Sequence, residues 1–256
     1  MWDQERLLTV SEADYPQAET LWTNANAQFV TCSATAIRVD QSGRLPRLDL
    51  TKPVTDYRLD NCWLIDSHRA WFACPITDDD SDRLVPLREI WPLLSDLEAQ
   101  AAVTAVELTA WQAGHGYCSA CGATTEVINA GWARRCTACQ QIHFPRLDPA
   151  IIVALTDQAD RLLLGSQPTW GKRHSVFAGY ATAGESLEQA IHREVKEEVG
   201  LVIRDITYYG SQPWPFPRAL MIAYTGIVDE PEALRIDGKE IRPSQLVYQT
   251  GADDRR

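Results

Sequence analysis

The stretch from Gly179 to Leu201, GYATAGESLEQAIHREVKEEVGL, constrains this chain more than any other part of it. Ser186 followed three residues later by Gln189 is a capping-box start, and Gly200 is a C-terminal stop, so Leu187 to Val199 is predicted to be helical. Leu187, Ile191, Glu194 and Glu198 follow one another at spacings of four, three and four, which puts them on one stripe. A solvated acidic face would lie opposite the apolar residues. Here Glu194 and Glu198 continue the apolar row, and Glu197 adjoins it. The glutamates also crowd the C-terminal end of the helix, where the dipole is already negative, and each such contact costs on the order of a few tenths to 1 kcal/mol. A hard divalent cation such as Mg²⁺ or Mn²⁺ takes oxygen ligands and bridges carboxylates to phosphates, and it would supply the missing positive charge. Glutamates merely paired with Arg193, Lys196 and His192 would explain neither the stripe nor the spacing.

The same segment resembles the Nudix box, the signature of the Nudix hydrolases. It reads Gly179, Glu185, Arg193, Glu194, Val195, Glu197, Glu198, Gly200 and Leu201, with no fixed position missing. The resemblance implies an α/β/α sandwich on a mixed sheet. It also implies hydrolysis of a nucleoside diphosphate linked to another group.

The rest of the chain has room for more than this. Its 256 residues can hold one large domain or two to three small ones. A net charge of −11 argues against nonspecific binding of nucleic acid or anionic membrane by the surface as a whole. No apolar run approaches the roughly 18 residues of a membrane span, and the start Met-Trp-Asp-Gln-Glu-Arg lacks a signal peptide's basic and apolar regions. The expectation is a soluble, cytoplasmic protein. Of seven cysteines, four lie in paired clusters, which fits a reducing compartment and a metal better than disulfides.

Residues 1–92 carry short apolar stretches, Ala34 to Val39, Cys62 to Ile65 and Ala70 to Pro75, broken by turn residues. They predict a mainly β N-terminal domain with loops around Gln41 to Arg47 and the solvated acidic run Asp78 to Asp82. From Leu93 to Gln112, alanines and leucines predict a helix, within a linking segment 93–116. A ribbon over 117–145 follows. Cys118-x-x-Cys121, fourteen residues, then Cys136-x-x-Cys139 is the spacing of two knuckles holding one tetrahedral Zn²⁺. Four thiolates leave no slot for a catalytic water, so the site is structural. Cys32, Cys62 and Cys74 stand apart as core or surface thiols. Residues 146–256 make the last domain, with strands over Ala150 to Leu155, Arg161 to Leu164, Ile203 to Tyr209 and Leu220 to Val228. The fold class is α+β to α/β: a β-rich domain, a zinc ribbon and the sandwich.

Beyond the box stands Ser211-Gln-Pro-Trp-Pro-Phe-Pro-Arg-Ala219. Its three prolines predict a stiff, extended loop that cannot continue a central strand, and its rings suit stacking on a planar group. This array resembles the one that marks the NADH pyrophosphatase subfamily of Nudix hydrolases, whose members also process NAD-capped RNA. The ribbon and its lead-out Phe144-Pro145-Arg146 with Asp148-Pro149-Ala150 resemble the same subfamily, so the likeness covers residues from about 85 to 240. Ala219 departs from the usual serine and removes a hydroxyl contact of about 1 kcal/mol. Tyr180-Ala-Thr182 departs where relatives often carry Phe-Val-Glu.

The resemblance implies zinc on Cys118, Cys121, Cys136 and Cys139, and catalytic Mg²⁺ or Mn²⁺ on Glu194, Glu198 and Glu240 with the Ala178 carbonyl. It implies a substrate site lined by Gln212, Pro213, Trp214, Pro215, Phe216, Pro217, Arg218 and Ala219. Tyr180 and Phe144 would sandwich the nicotinamide, and Arg88 matches a substrate-contacting arginine. It also implies a homodimer. NADH or NAD⁺ would be split into the nicotinamide mononucleotide and AMP, and NAD-capped RNA ends would be decapped. Glu197 is assigned as general base, with Arg193 orienting the cluster and Glu185 pairing with Arg193. Two other readings stay open: a Nudix hydrolase for ADP-ribose or another nucleotide sugar, and a sensor that binds without turnover. The locally basic Arg134, Arg135 and Arg146 would then track an RNA backbone. The ending RPSQLVYQTGADDRR is polar and offers no helix, so the C-terminal end reads as lacking the strand and helix that close relatives of this kind.

Overall fold

The computed structural model describes residues 10–40, 47–51, 61–76, 84–167, 173–235 and 247–250. Two compact units are formed, one from Trp2–Arg146 with Pro215–Arg218, the other from Leu147–Trp214 with Ala219 onward.

In the first unit a short helix α1 (Ala18–Trp22) precedes strands β1 (Gln28–Cys32), β2 (Ala36–Asp40), β3 (Arg47–Leu48), β4 (Trp63–Asp66), β5 (Trp71–Pro75) and β6 (Leu84–Pro86). The sheet order is β3-β2-β1-β5-β4, with β6 on β2. Strand β1 runs parallel to β5, and the other pairs are antiparallel. Strand β2 starts later than its apolar run because the Ser33 hydroxyl accepts the Thr35 and Ala36 N–H groups and holds a turn there. No apolar run announces β1 (QFVTC), since it mixes apolar and polar residues and is buried on both faces. The acidic run Asp78 to Asp82 and the loop 41–46 lie outside the described residues.

Alternation along these strands splits their side chains into two cores. Val30, Cys32, Trp63, Ile65, Trp71 and Ala73 join one, and Phe29, Cys62, Leu64, Phe72 and Cys74 join the other. Helix α2 (Leu87–Ile90) leads to α3 (Asp96–Gly114). Helix α3 starts at Asp96, later than Leu93, because Ser95 and Glu98 form its capping box and Pro92 sits in the turn before it. It does not stand apart as a linker. Ala101, Ala102, Val103, Ala105, Val106 and Leu108 are in the first core, so α3 is the helical layer of this sheet.

The ribbon, β7 (Thr125–Ile128), β8 (Ala133–Cys136) and β9 (Ile142–His143), is an antiparallel sheet of the same unit. The Trp132 indole N–H donates to the Leu64 carbonyl at 2.7 Å, and the Gln112 amide donates to the Gly131 carbonyl at 2.6 Å. Gly131 has φ +100°, and a Cβ there would lie 2.7 Å from the Trp63 Cβ, so only glycine lets the ribbon settle on β4.

The second unit is a mixed sheet, β13-β14-β10-β11-β15, with β12 also on β10. Its strands are β10 (Asp148–Asp157), β11 (Arg161–Leu164), β12 (Phe177–Tyr180), β13 (Ile203–Trp214), β14 (Ala219–Val228) and β15 (Val247–Thr250). Helix α4 (Leu187–Val199) packs on it through Ala190, Ile191, Val195 and Val199. A second helical layer has no counterpart among the described residues. The chain's ending is corrected in one respect: Val247–Thr250, rich in β-formers, pairs antiparallel with β11 and extends the sheet.

Gly131→Ala is expected to lower stability by about 1–3 kcal/mol through overpacking and backbone strain, read as an earlier urea midpoint.

Candidate active site

Helix α4 has the predicted ends. The Ser186 hydroxyl accepts the Gln189 N–H at 3.2 Å, the Gln189 side chain accepts the Ser186 N–H at 2.8 Å, and Gly200 closes the helix at φ 68°. That phase puts Ile191 and Val195 in the core and brings Glu198 with them to 7% exposure. The glutamates are organised by Arg193. Its Nε and Nη2 donate to the two Glu185 oxygens at 2.8 and 2.9 Å, and Nη2 also donates to the Tyr180 carbonyl at 2.9 Å. Nη1 donates to Glu194 at 2.7 Å and to Glu197 at 3.1 Å. All five N–H donors of the guanidinium are thus engaged.

The Arg193 bonds, and after them the Thr182 N–H at 3.0 Å, hold the Glu185 carboxyl down at about 2, against an ordinary 4.5. The same carboxylates raise Arg193, with Glu185 the largest influence. Thr182, one of the departures from the family pattern, is therefore a partner of Glu185; nothing in its spacing announced this. Gly179 explains itself by clearance. A Cβ there would overlap the Glu194 carboxylate and lie 2.6 Å from its Cγ, so the bare strand backbone is what lets Glu194 lie against β12. Behind the helix, Glu198, Ala178, Phe177, Ser166, Gln167 and Ser175 line a cavity of about 150 Å³.

Among the described residues, the side chains that converge as potential ligands in a group of three or more are Cys118, Cys121, Cys136 and Cys139, with sulfurs all within 4.8 Å of one another. Tetrahedral zinc with bonds of about 2.3 Å needs sulfurs roughly 3.8 Å apart, so the cluster fits the ion. Cys118 and Cys139 are 3.7 Å apart, and Cys121 and Cys136 are 3.5 Å apart. Desolvation raises the Cys136 thiol, but the Cys139 and Ala138 N–H groups outweigh it and bring Cys136 to about 6, toward the thiolate that zinc needs. The glutamates offer hard oxygen donors instead. Three carboxylates, Glu185, Glu194 and Glu197, face one guanidinium, and Glu198 is a fourth on the same helix as Glu194 and Glu197, a surplus of negative charge that suits a divalent cation.

A model of the NUDIX domain matches residues 146–248, and one of the NADH pyrophosphatase zinc ribbon domain matches 113–144. Residues 146–248 are thus similar to the NUDIX domain, and residues 113–144 to that zinc ribbon. Among its relatives is the NAD-capped RNA hydrolase NudC of Mycobacterium bovis, 39% identical over 169 residues, or 65% of this chain and 54% of that one. The NudC of Deinococcus radiodurans is 39% identical over 163 residues, 61% of this chain and 58% of that one. That of Escherichia coli is 39% identical over 144 residues, 56% and 55%. The chain thus spans a little over half the length of these relatives.

The array 211–219 is not a loop throughout. Gln212, Pro213 and Trp214 continue β13, paired with Met221, Leu220 and Ala219 of β14. Proline is tolerated because β13 is an edge strand, where a missing N–H breaks no outer ladder. Pro215, Phe216, Pro217 and Arg218 form the turn. Ala219 is 1% exposed at the start of β14, so its position is a packing site and not a free contact point. In the other unit Arg88 lies 4.5 Å above the Phe216 ring, and Trp91 lies 6.2 Å from it. One face of Phe216 is therefore covered by Arg88, and Trp91 is a neighbour that sequence reasoning missed. Tyr180 and Phe144 are 50% and 62% exposed and lie in different units. Glu240 lies outside the described residues.

Two arginines of the basic stretch have partners within their own unit. Arg134 donates to Thr125 and Gln112, and Arg135 pairs with Glu126 at 3.5 Å.

Because Glu185 is depressed, its ionised form favours the folded state, fully above about pH 4.5 and decreasingly as pH falls toward about 2. Arg193→Lys replaces a fork by a point charge and is expected to lower the urea midpoint at pH 7. The gap from wild type should close between pH 4.5 and 2; a gap independent of pH would contradict the pairing.

Proposed function

We propose that this protein hydrolyses the diphosphate of NADH or NAD⁺ to the nicotinamide mononucleotide and AMP, and that it removes NAD caps from RNA. The observation that supports this most is the Arg193-centred carboxylate cluster on α4, in a chain that also carries the NADH pyrophosphatase zinc ribbon. The NudC relatives, named as NAD-capped RNA hydrolases, favour the same substrate class.

Glu194 and Glu198, with the Ala178 carbonyl and Glu240, would hold the divalent ions, Mg²⁺ or Mn²⁺. When bound, these ions neutralise phosphoryl oxygens and ease attack on the diphosphate. The chain's own residues do the rest. Glu197, whose side chain is 61% exposed, takes the proton from the attacking water. The water oxygen bonds to one phosphorus as the bridging P–O bond breaks. Arg193 fixes the directions of Glu194 and Glu197, and Glu185 with the Tyr180 carbonyl fixes Arg193. Trp214 and Tyr180 in one unit, and Phe216 and Phe144 in the other, are each aromatic surfaces suited to stacking on the nicotinamide or adenine ring. Arg88, already on Phe216, holds that ring and lends positive charge. A homodimer in the cytoplasm, with Phe144 and Tyr180 contributed by different subunits, completes this reading. The four-cysteine zinc is structural.

Incubation of the purified protein with NADH and Mn²⁺, followed by mass spectrometry, should yield AMP and reduced nicotinamide mononucleotide. Faster hydrolysis of ADP-ribose or diadenosine diphosphate would move the assignment to another Nudix substrate, and intact substrates would refute it. Glu197→Gln is expected to lower turnover by about 10²–10⁴-fold; near-wild-type turnover would reassign the base. Gly179→Ala, which pushes Glu194 aside, should cost about 100-fold in turnover with an unchanged circular dichroism spectrum.

A further inference from the structure

We infer that Cys62 and Cys74 form a reversible thiol–disulfide pair that cross-links the edge of the N-terminal sheet under oxidation. The register of β4 on β5, Trp63 opposite Ala73, puts Cys62 opposite Cys74. Directly opposed residues of an antiparallel pair have Cα atoms about 4.5–5.5 Å apart, within the roughly 4.4–6.8 Å that a disulfide spans. Their sulfurs stand 2.9 Å apart, so bond formation needs no rearrangement of the strands. Both are free thiols buried among Phe29, Leu64 and Phe72.

The other cysteines are arranged differently. Cys32 belongs to the opposite core, its sulfur 3.4 Å from the Thr109 hydroxyl, and burial pushes it up to about 12. Cys118, Cys121, Cys136 and Cys139 serve the zinc cluster. The pair is buried but not remote from solvent. Strand β4 is the edge of its sheet, and the exposed Asn61 has its Oδ1 3.7 Å from the Cys62 sulfur. A molecule as small as hydrogen peroxide reaches it by a local opening of that edge.

The step balances with a peroxide as oxidant. One thiol attacks the O–O bond and becomes a sulfenic acid with release of water. The second sulfur then displaces the sulfenic oxygen as a second water. Two thiols and one peroxide give one disulfide and two waters; a low-molecular-weight dithiol reverses it by exchange. The bond would fix β4, whose Leu64 carbonyl receives the Trp132 indole and whose Trp63 abuts Gly131. Oxidation would therefore stiffen the strand on which the zinc ribbon rests.

The test uses the full, zinc-loaded protein. It is treated with graded hydrogen peroxide, its remaining thiols are alkylated after denaturation, and its unreduced peptides are mapped by mass spectrometry while zinc release is followed. The expected product is a Cys62–Cys74 linked peptide, formed at peroxide levels that leave zinc bound and reversed by dithiothreitol. The oxidised protein should melt about 5 °C higher, and this gain should vanish in Cys62→Ala and Cys74→Ala. Full alkylation of both cysteines after zinc has been released would overturn the inference, as would their separate conversion to sulfinic acids. The wild-type peptide map decides the matter even where a variant fails to fold.

Discussion

One guanidinium organises the carboxylate-bearing unit of this molecule. Arg193 directs its five N–H groups to Glu185, Glu194, Glu197 and the Tyr180 carbonyl, and so ties the strand β12, the turn after it and the helix α4 into one unit. A surface ion pair is worth little by itself, about 0–1 kcal/mol, but a planar fork with every donor engaged fixes direction. Direction is what a carboxylate cluster for divalent ions needs. The clearance at Gly179 and the Thr182 hydrogen bonds to Glu185 belong to the same arrangement.

The N-terminal unit obeys a different constraint, the burial of both faces of one sheet. Helix α3 covers the face bearing Trp63 and Trp71, and the α1 region, through Ala18 and Trp22, covers the face bearing Phe72 and Cys74. Strand β4 is then needed twice, as the sheet's edge and as the seat of the ribbon. An edge strand with this duty gains from a cross-link more than a central strand would, because fewer ladder bonds hold it.

Local signals carried far where local physics decides. The capping box at Ser186 and Gln189, the stop at Gly200 and the spacing of Leu187, Ile191, Glu194 and Glu198 were legible as a helix with carboxylates on its apolar stripe. The spacing of the four cysteines was legible as a zinc cluster. Misreadings arose where the answer depended on what lies beside a residue. Pro213 reads as a strand breaker until the strand is known to be an edge. Nor does sequence show that Gln112 and Thr125 accept from Arg134. Residues 93–112 read as a link between domains because composition cannot say which sheet buries an alanine-rich helix.

The sequence by itself determined the chemistry-bearing elements of this protein, since caps, helical phase and ligand spacing are properties of a few neighbouring residues. Only the tertiary structure decided that Arg193 would saturate its donors, that Glu194 would lie against a bare Gly179, and that Cys62 would face Cys74. Each of these depends on strand register or on the approach of a helix to a sheet. Those distances are set by packing between segments far apart in the chain, and no local pattern encodes them.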